Sequence, residues 1–209
     1  MAGAGGGWDI VANFVSWLLA HAFPSKETLD FNASVREWSD DEPHDLSNAL
    51  ISFRPMTRDD FPDVLRWRTT PHVTAWFRSA PRDLEMVEEK FGPRIDGSQR
   101  VQVDVLLVNL KPVGYMQHQM RDDGERKIAE IDFLIGEYRY INRGVGSRAI
   151  AEYSARIARL NPGVSQIISQ PNIRNGRSAG ALAKAGFKRV VDVAADTVNQ
   201  VVYVLDLQH

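Results

Sequence analysis

Apolar residues recur along this chain with two periods, and the switches between those periods mark out its elements. Ile10, Phe14, Trp17 and Leu18 repeat at helical spacing ahead of Pro24, which predicts an amphipathic helix. Ala2 to Gly7 before it offer little to pack, and the acidic run Ser39 to Pro43 after it reads as a solvated linker or, alternatively, a negatively charged lid. Alternation at Ile51, Phe53 and Pro55 suggests the first strand, and Thr57 with Asp60 has the spacing of a capping box for a helix from Arg58 to about Thr69. A second helix is expected from Arg82 to Ile95. Val101 to Val108 is rich in β-branched residues, Asn109 to Pro112 makes a turn, and Val113 to Met120 pairs back as a hairpin strand.

After the polar turn Arg121 to Arg126, Ile128 to Gly136 reads as a strand, followed by a helix from near Gly146 that carries Ile150, Tyr153 and Ile157 on one face. Asn161-Pro162-Gly163 ends it. Val164 to Ser169 is then a strand, Asn175 to Ala185 a helix closed by Gly186, and Phe187 to Val193 with Val201 to Leu207 a last hairpin. This order predicts an α/β domain over residues 50–209, with residues 1–49 as an extension that holds the first helix and the acidic linker.

A length of 209 residues suits one such domain, and 44% hydrophobic with 25% charged residues is a globular composition. Twenty-five Lys and Arg against 27 Asp and Glu leave a net charge of −2, so no basic field gathers nucleic acid or an anionic membrane. The stretch Ile10 to Phe23 is too short to span a bilayer, and its first flanking base, Lys26, lies on the wrong side for a secretory leader. A cytoplasmic location is expected. Without cysteine there is no disulfide, thiolate metal site or cysteine nucleophile, and no metal is implied.

Arg139 to Ser147 joins a strand to a helix and places Gly144 and Gly146 at the helix start. A helix N-terminus presents unpaired N–H groups and a partial positive charge, and glycine lets a backbone approach a diphosphate. Farther on, Asn175-Gly176-Arg177-Ser178-Ala179 and Ala183-Lys184-Ala185-Gly186-Phe187 bracket the last helix. Together these segments resemble the GNAT acyltransferases, whose diphosphate loop reads Gln/Arg-x-x-Gly-x-Gly/Ala. Ile141 departs from that pattern at its first position.

The resemblance runs from about Ile51 to Leu207 and implies the GNAT fold, a mixed sheet flanked by helices, with acetyl-CoA as co-substrate. It also implies cofactor contacts from Phe133, Ile135, Asn142, Arg143, Gly144, Val145, Gly146, Ser147 and Asn175, with Arg143 and Arg148 adding charge near the phosphates. Within the family the chain is similar to aminoglycoside 6'-N-acetyltransferases, enzymes of antibiotic resistance, and to siderophore acyltransferases. Pro71 to Phe77 and Pro112 to Gln117 carry that likeness, as does Asp132, twelve residues before Gly144, where this branch places a catalytic Asp.

A carboxylate has a reason to be there, because an alkylammonium has no lone pair and must lose a proton before it attacks a thioester. Asp132 is therefore expected to act as base or as substrate anchor. Trp76, Gln117, Gln119 and Gln170 are expected beside it, whereas alternation puts His118 on the opposite strand face and helical spacing puts Trp67 in the core. Leu182 occupies the position where many GNAT enzymes carry a Tyr acid, and Gln170 the one where related aminoglycoside enzymes carry Asp. The expected acceptor is a small-molecule amine, first the 6'-amine of an aminoglycoside and alternatively a lysine-derived siderophore amine. A further alternative is a CoA-binding protein with little turnover. A lysine derivative calls for an Arg or a helix N-terminus facing the acceptor cleft, and the sequence alone does not assign such an Arg. It also leaves the oligomeric state open, a homodimer included.

Overall fold

A computed structural model of the chain describes residues 45–77, 79–122, 126–190 and 199–207. The helix expected before Pro24 and the acidic run lie outside them. Strands β1 (Ile51–Pro55), β2 (Val101–Val108), β3 (Lys111–Asp122), β4 (Lys127–Ile135), β5 (Val164–Ser169), β6 (Lys188–Val190) and β7 (Val202–Asp206) form one sheet in the order β1-β2-β3-β4-β5-β7-β6. β1 to β4 pair antiparallel in sequence order, whereas β4 and β5 pair in parallel. A parallel pair needs a crossover, and helix α4 (Val145–Leu160) supplies it.

Each face of the sheet buries its own core. On one face α4 and α5 (Gly176–Lys184) cover Met116, Ala129 and Ile131, and Ile150, Tyr153 and Ile157 point inward as their spacing requires. On the other, α1 (Phe61–Thr69), the short α2 (Pro71–Thr74) and α3 (Leu84–Ile95) bring Trp67, Val73, Val87 and Phe91 against Val103, Val105, Tyr115 and Leu134. Because successive strand residues face opposite ways, Asp132 and Glu130 share the α1/α3 face with Leu134. His118 falls on the α4 face, where its Nδ1 lies 2.9 Å from the Tyr153 hydroxyl, which in turn donates to Asp104 at 2.8 Å. That is the face on which alternation puts it.

Local chemistry explains where the boundaries shift. The first helix opens as a 3-10 turn at Arg58–Asp60, with the Thr57 N–H donating to Asp60 Oδ2 at 2.8 Å, and only then becomes α1. Pro62 sits at its N-terminal turn, where a missing N–H costs nothing. α3 begins at Leu84 because the Asp83 carboxylate accepts from the Met86 N–H at 2.9 Å. The β2–β3 turn is two residues, Asn109 and Leu110, both at positive φ, so Lys111 and Pro112 belong to β3. Trp67, fully buried, lies against Gly136 at the end of β4 and donates from Nε1 to Glu137 at 2.9 Å, which fixes α1 over that strand end.

Candidate active site

β4 and β5 pair only from Lys127 and Val164 to Glu130 and Ile168, while β4 continues to Ile135 against β3. Beyond Glu130, no described strand covers the outer edge of β4. The Gly136 N–H bonds toward β3, to Val113 O at 2.9 Å, so by alternation Phe133 and Ile135 turn their peptide groups to that open edge. Side chains meet two of these groups. The Phe133 N–H donates to Asp132 Oδ1 at 2.9 Å, and His72 Nε2 lies 3.1 Å from Ile135 O. Burial pushes the His72 imidazole below its ordinary pKa, against the pull of that carbonyl.

The glycine-bearing loop follows directly. A 3-10 turn, Tyr138–Tyr140, leads to Asn142 and Gly144, both in the left-handed region, at φ 60° and 76°. Gly144 is the N-cap of α4 with no side-chain cap, and the first helical bond to its carbonyl comes from the Arg148 N–H. The N–H groups of Val145, Gly146 and Ser147 therefore lack helical acceptors and point out of the positive end of a 16-residue helix. A Cβ on Gly146 would lie 3.5 Å from Ile135 Cδ1 and 3.7 Å from Ala181 Cβ, so the helix start, the end of β4 and α5 meet at this residue. Asn175 caps α5 beside it, its Oδ1 accepting from the Ser178 N–H at 3.1 Å.

This cradle fits a diphosphate joined to an extended arm: uncapped donors at a helix end, and leading away from them an edge of β4 with no strand partner, whose Phe133 N–H and Ile135 carbonyl an arm would have to take over from Asp132 and His72. Arg143 is exposed at the loop. Arg148 is not aimed at a phosphate, because its guanidinium donates to Leu46 O at 2.6 Å and to Ala49 O. It fastens the chain ahead of β1, where Leu46 and Ala49 are buried in the α4-side core.

Asp132 sits opposite Gln117 in the β3–β4 register, and Gln117 Nε2 donates to its Oδ2 at 3.2 Å. Arg94 donates to Gln117 Oε1 at 2.6 Å, which turns the amide so that its NH2 faces the carboxylate. Burial pushes the Asp132 carboxyl above the usual range, while the Phe133 N–H, Lys90, Arg68 and Arg94 act against that rise. Two residues back, Glu130 accepts from Gln119 at 3.1 Å and Gln170 at 3.0 Å and pairs with Arg121; its carboxyl is also pushed up, by burial first. The structure thus brings Gln117, Gln119, Asp132 and Gln170 together on one face, with Glu130 at their centre.

The profile of the acetyltransferase (GNAT) domain matches residues 56–195. The chain belongs to the GNAT acetyltransferase family. An aminoglycoside N(6')-acetyltransferase type 1 from Klebsiella pneumoniae is 23% identical over 154 residues, covering 68% of this chain and 76% of that protein. The solved structure of AAC(6')-Ib with ribostamycin and coenzyme A matches with a TM-score of 0.64 at 25% identity, over 75% of this chain and 93% of that one. An uncharacterised protein from Bacillus halodurans has the same fold, with a TM-score of 0.68 at 20% identity over 77% and 86% of the two chains. Among the described residues, no helix is long and apolar enough to cross a membrane, and no cluster of His, Asp and Glu could hold a metal.

Two other residues of this GNAT domain change the picture at the site. Trp76 is half-buried and belongs to neither core, whereas the ring of its neighbour Phe77 lies 4.8 Å from the Arg68 guanidinium carbon. Of these two neighbours it is Phe77 that contacts a charged group near Asp132, as Phe91 does from α3 against Lys90 and Arg94. Leu182 is fully buried between α4 and the sheet and has no proton to give. Leu182→Ala is expected to cost about 2–5 kcal/mol through the cavity it leaves, and any loss of turnover should track the loss of folded protein in a thermal melt. A rate loss with unchanged stability would contradict a packing role.

Sequence reasoning missed Glu130, Arg68, Lys90 and Arg94. Glu130 carries a visible signal, two residues from Asp132 on the same strand face. Lys90 and Arg94 lie one helical turn apart, which marks them as neighbours without saying what they face.

Proposed function

We propose that this GNAT enzyme transfers the acetyl group of acetyl-CoA to the primary amine of a small molecule by direct attack, with Asp132 as proton acceptor or ammonium anchor. The carrying observation is a juxtaposition: the Asp132 carboxylate and the open-edge N–H of Phe133 belong to consecutive residues and bond to one another at 2.9 Å. A free alkylammonium has a pKa of about 10.4, so at neutral pH the acceptor arrives protonated and attracted to the anion. Asp132 takes one proton, the freed lone pair forms the C–N bond as the C–S bond of the thioester breaks, and the second proton, shed by the acylated nitrogen, neutralises the departing thiolate. The leaving group is a thiolate whose conjugate acid has a pKa of about 8.5, so release without a Tyr at position 182 is chemically reasonable.

The 6'-amine of an aminoglycoside is the acceptor that the relatives' names support, and Glu130 and Asp132 offer the negative charge a polycation needs. A lysine-derived amine of the siderophore type has its own support, since the arginines Arg68 and Arg94 both act on Asp132 and supply cations of the kind a carboxylate would need.

The cradle is tested by thermal melting with acetyl-CoA. At about 100 times its Kd a ligand of the native state adds about 2.7 kcal/mol, which for a chain of this size raises Tm by roughly 5–11 °C. Gly146→Val should reduce that shift, since its γ-methyls extend past the ordinary contact that a Cβ makes with Ile135 and Ala181. No shift in the wild type would remove the cofactor from this reading. An undiminished shift in a folded Gly146→Val variant would move the phosphates elsewhere.

A further inference from the structure

Arg94, in the last turn of α3, reaches the strand face that carries Asp132, and its place there is fixed from two sides. Its guanidinium carbon lies 5.1 Å from the centre of the Phe91 ring, which is fully buried and meets Tyr115 edge-on at 5.4 Å. Phe91 thus seats α3 on β3 two residues before Gln117. Just beyond the helix, Gln99 Oε1 accepts from Arg94 Nε at 3.4 Å.

The remaining contact has a direction. A guanidinium has donors and no acceptor, so the atom of Gln117 that Arg94 meets at 2.6 Å must be the amide oxygen. The other end of that amide is then its NH2, and it donates to Asp132 Oδ2 at 3.2 Å. With the Phe133 N–H on Oδ1 at 2.9 Å, each oxygen of the carboxylate accepts from a donor, which favours the anion. Turned over, the amide would set its oxygen against Oδ2, and that contact would hold only with Asp132 protonated. Arg94 is what excludes the second orientation. Burial works against the Arg94 charge, and Tyr115 and Asp132 favour it; a guanidinium stays protonated in proteins all the same. Asp132 is also faced by Lys90 from α3, Arg68 from α1 and Glu130 from β4 itself. Arg94 differs from these in its continuous hydrogen-bonded path to the carboxylate, by way of the residue opposite Asp132 in the β3–β4 register.

Resting on the acyl-transfer reading above, we propose that Arg94 is a positioning residue for the reaction, which acts through Gln117 to hold the Asp132 side chain as an oriented anion. The path makes the proton acceptor depend on how α3 docks, although α3 contributes no part of the cofactor cradle.

The test reads the Asp132 carboxyl and the turnover separately. Carbon NMR follows the Asp132 carboxyl against pH in protein without substrate, its signal assigned by its loss in Asp132→Asn, and thiol release with a primary amine gives kcat and KM. Arg94→Met should move the Asp132 midpoint up, because the anion loses its oriented donor. It should also lower kcat by about 10- to 100-fold, the worth of one hydrogen bond to a charged group, with KM for acetyl-CoA within about twofold. Gln117→Met cuts the same path with Arg94 in place and should do both, so the test does not depend on Arg94→Met folding. Arg94→Lys, which keeps a donor and a charge, should recover part of the kcat. In a Gln117→Met background, Arg94→Met should move the midpoint by less than about half its effect alone, since the path is already broken. A midpoint unmoved in Gln117→Met overturns the proposal, even where kcat falls with stability in a thermal melt. An Arg94→Met shift of equal size in both backgrounds overturns it as well, because the charge then acts through space. Midpoints that move as expected in a protein that acetylates no amine keep the link to Asp132 and overturn the transferase reading.

Discussion

Asp132→Asn is expected to lower kcat for amine acetylation by about 10²- to 10⁴-fold, the usual contribution of a positioned general base, while acetyl-CoA affinity stays within about twofold. The substitution keeps the size of the side chain, and Asn Oδ1 can still accept from the Phe133 N–H. It removes the proton acceptor, and it sets an amide NH2 against Gln117 Nε2, whose orientation Arg94 holds. Wild-type kcat/KM should also fall toward acid pH as the base is protonated. Because burial raises the Asp132 carboxyl, that fall should lie above the ordinary carboxylate range, and Asp132→Asn should lose it. Glu130 interacts with Asp132 and is raised too, so the limb belongs to the pair. Wild-type turnover in Asp132→Asn with a good amine would contradict the assignment.

A large loss of stability is expected from Gly114→Ala. Gly114 lies on β3 opposite Ile135, and a Cβ there would fall 2.0 Å from Leu134 O and 3.0 Å from Ile135 Cα. Both are backbone atoms, so no rotamer relieves the clash and β4 must separate from β3 at the strand end that carries the open edge. Overpacking of this kind costs about 3 kcal/mol or more, a Tm loss of roughly 6–12 °C. Gly180→Ala is the control: it lies within α5 with nothing inside 4 Å of an added Cβ, and helix propensity favours Ala by up to about 1 kcal/mol. A Gly114→Ala melt indistinguishable from wild type would show that the β3–β4 spacing is not held as tightly as the structure shows.

What could be read from the chain follows the range of each signal. Alternation suffices to put Gln117 and Gln119 on one side of β3 and His118 on the other, since a register slip would expose the whole buried set. The same rule reaches Glu130. It does not reach Arg68, Lys90 or Arg94, whose meeting with Asp132 depends on how α1 and α3 dock, a matter decided by contacts such as Trp67 on Gly136. Arg148 misleads for a related reason: its nearness in sequence to Gly144 suggests a phosphate, but its long side chain reaches back to the carbonyls of Leu46 and Ala49. Trp76 and Phe77 are adjacent, and only the backbone path after α2 shows that Phe77 covers Arg68.

The central claim is acyl transfer to an amine, and the most direct measurement is thiol release from acetyl-CoA by the wild-type chain over a panel of primary amines. The panel should include kanamycin and lysine, with the N-acetylated product identified by mass. The expected result is saturable release, equimolar with an N-acetylated amine and absent without one. Acetyl-CoA that binds and protects the fold while no amine in the panel releases thiol would contradict the account and leave a CoA-binding protein in its place.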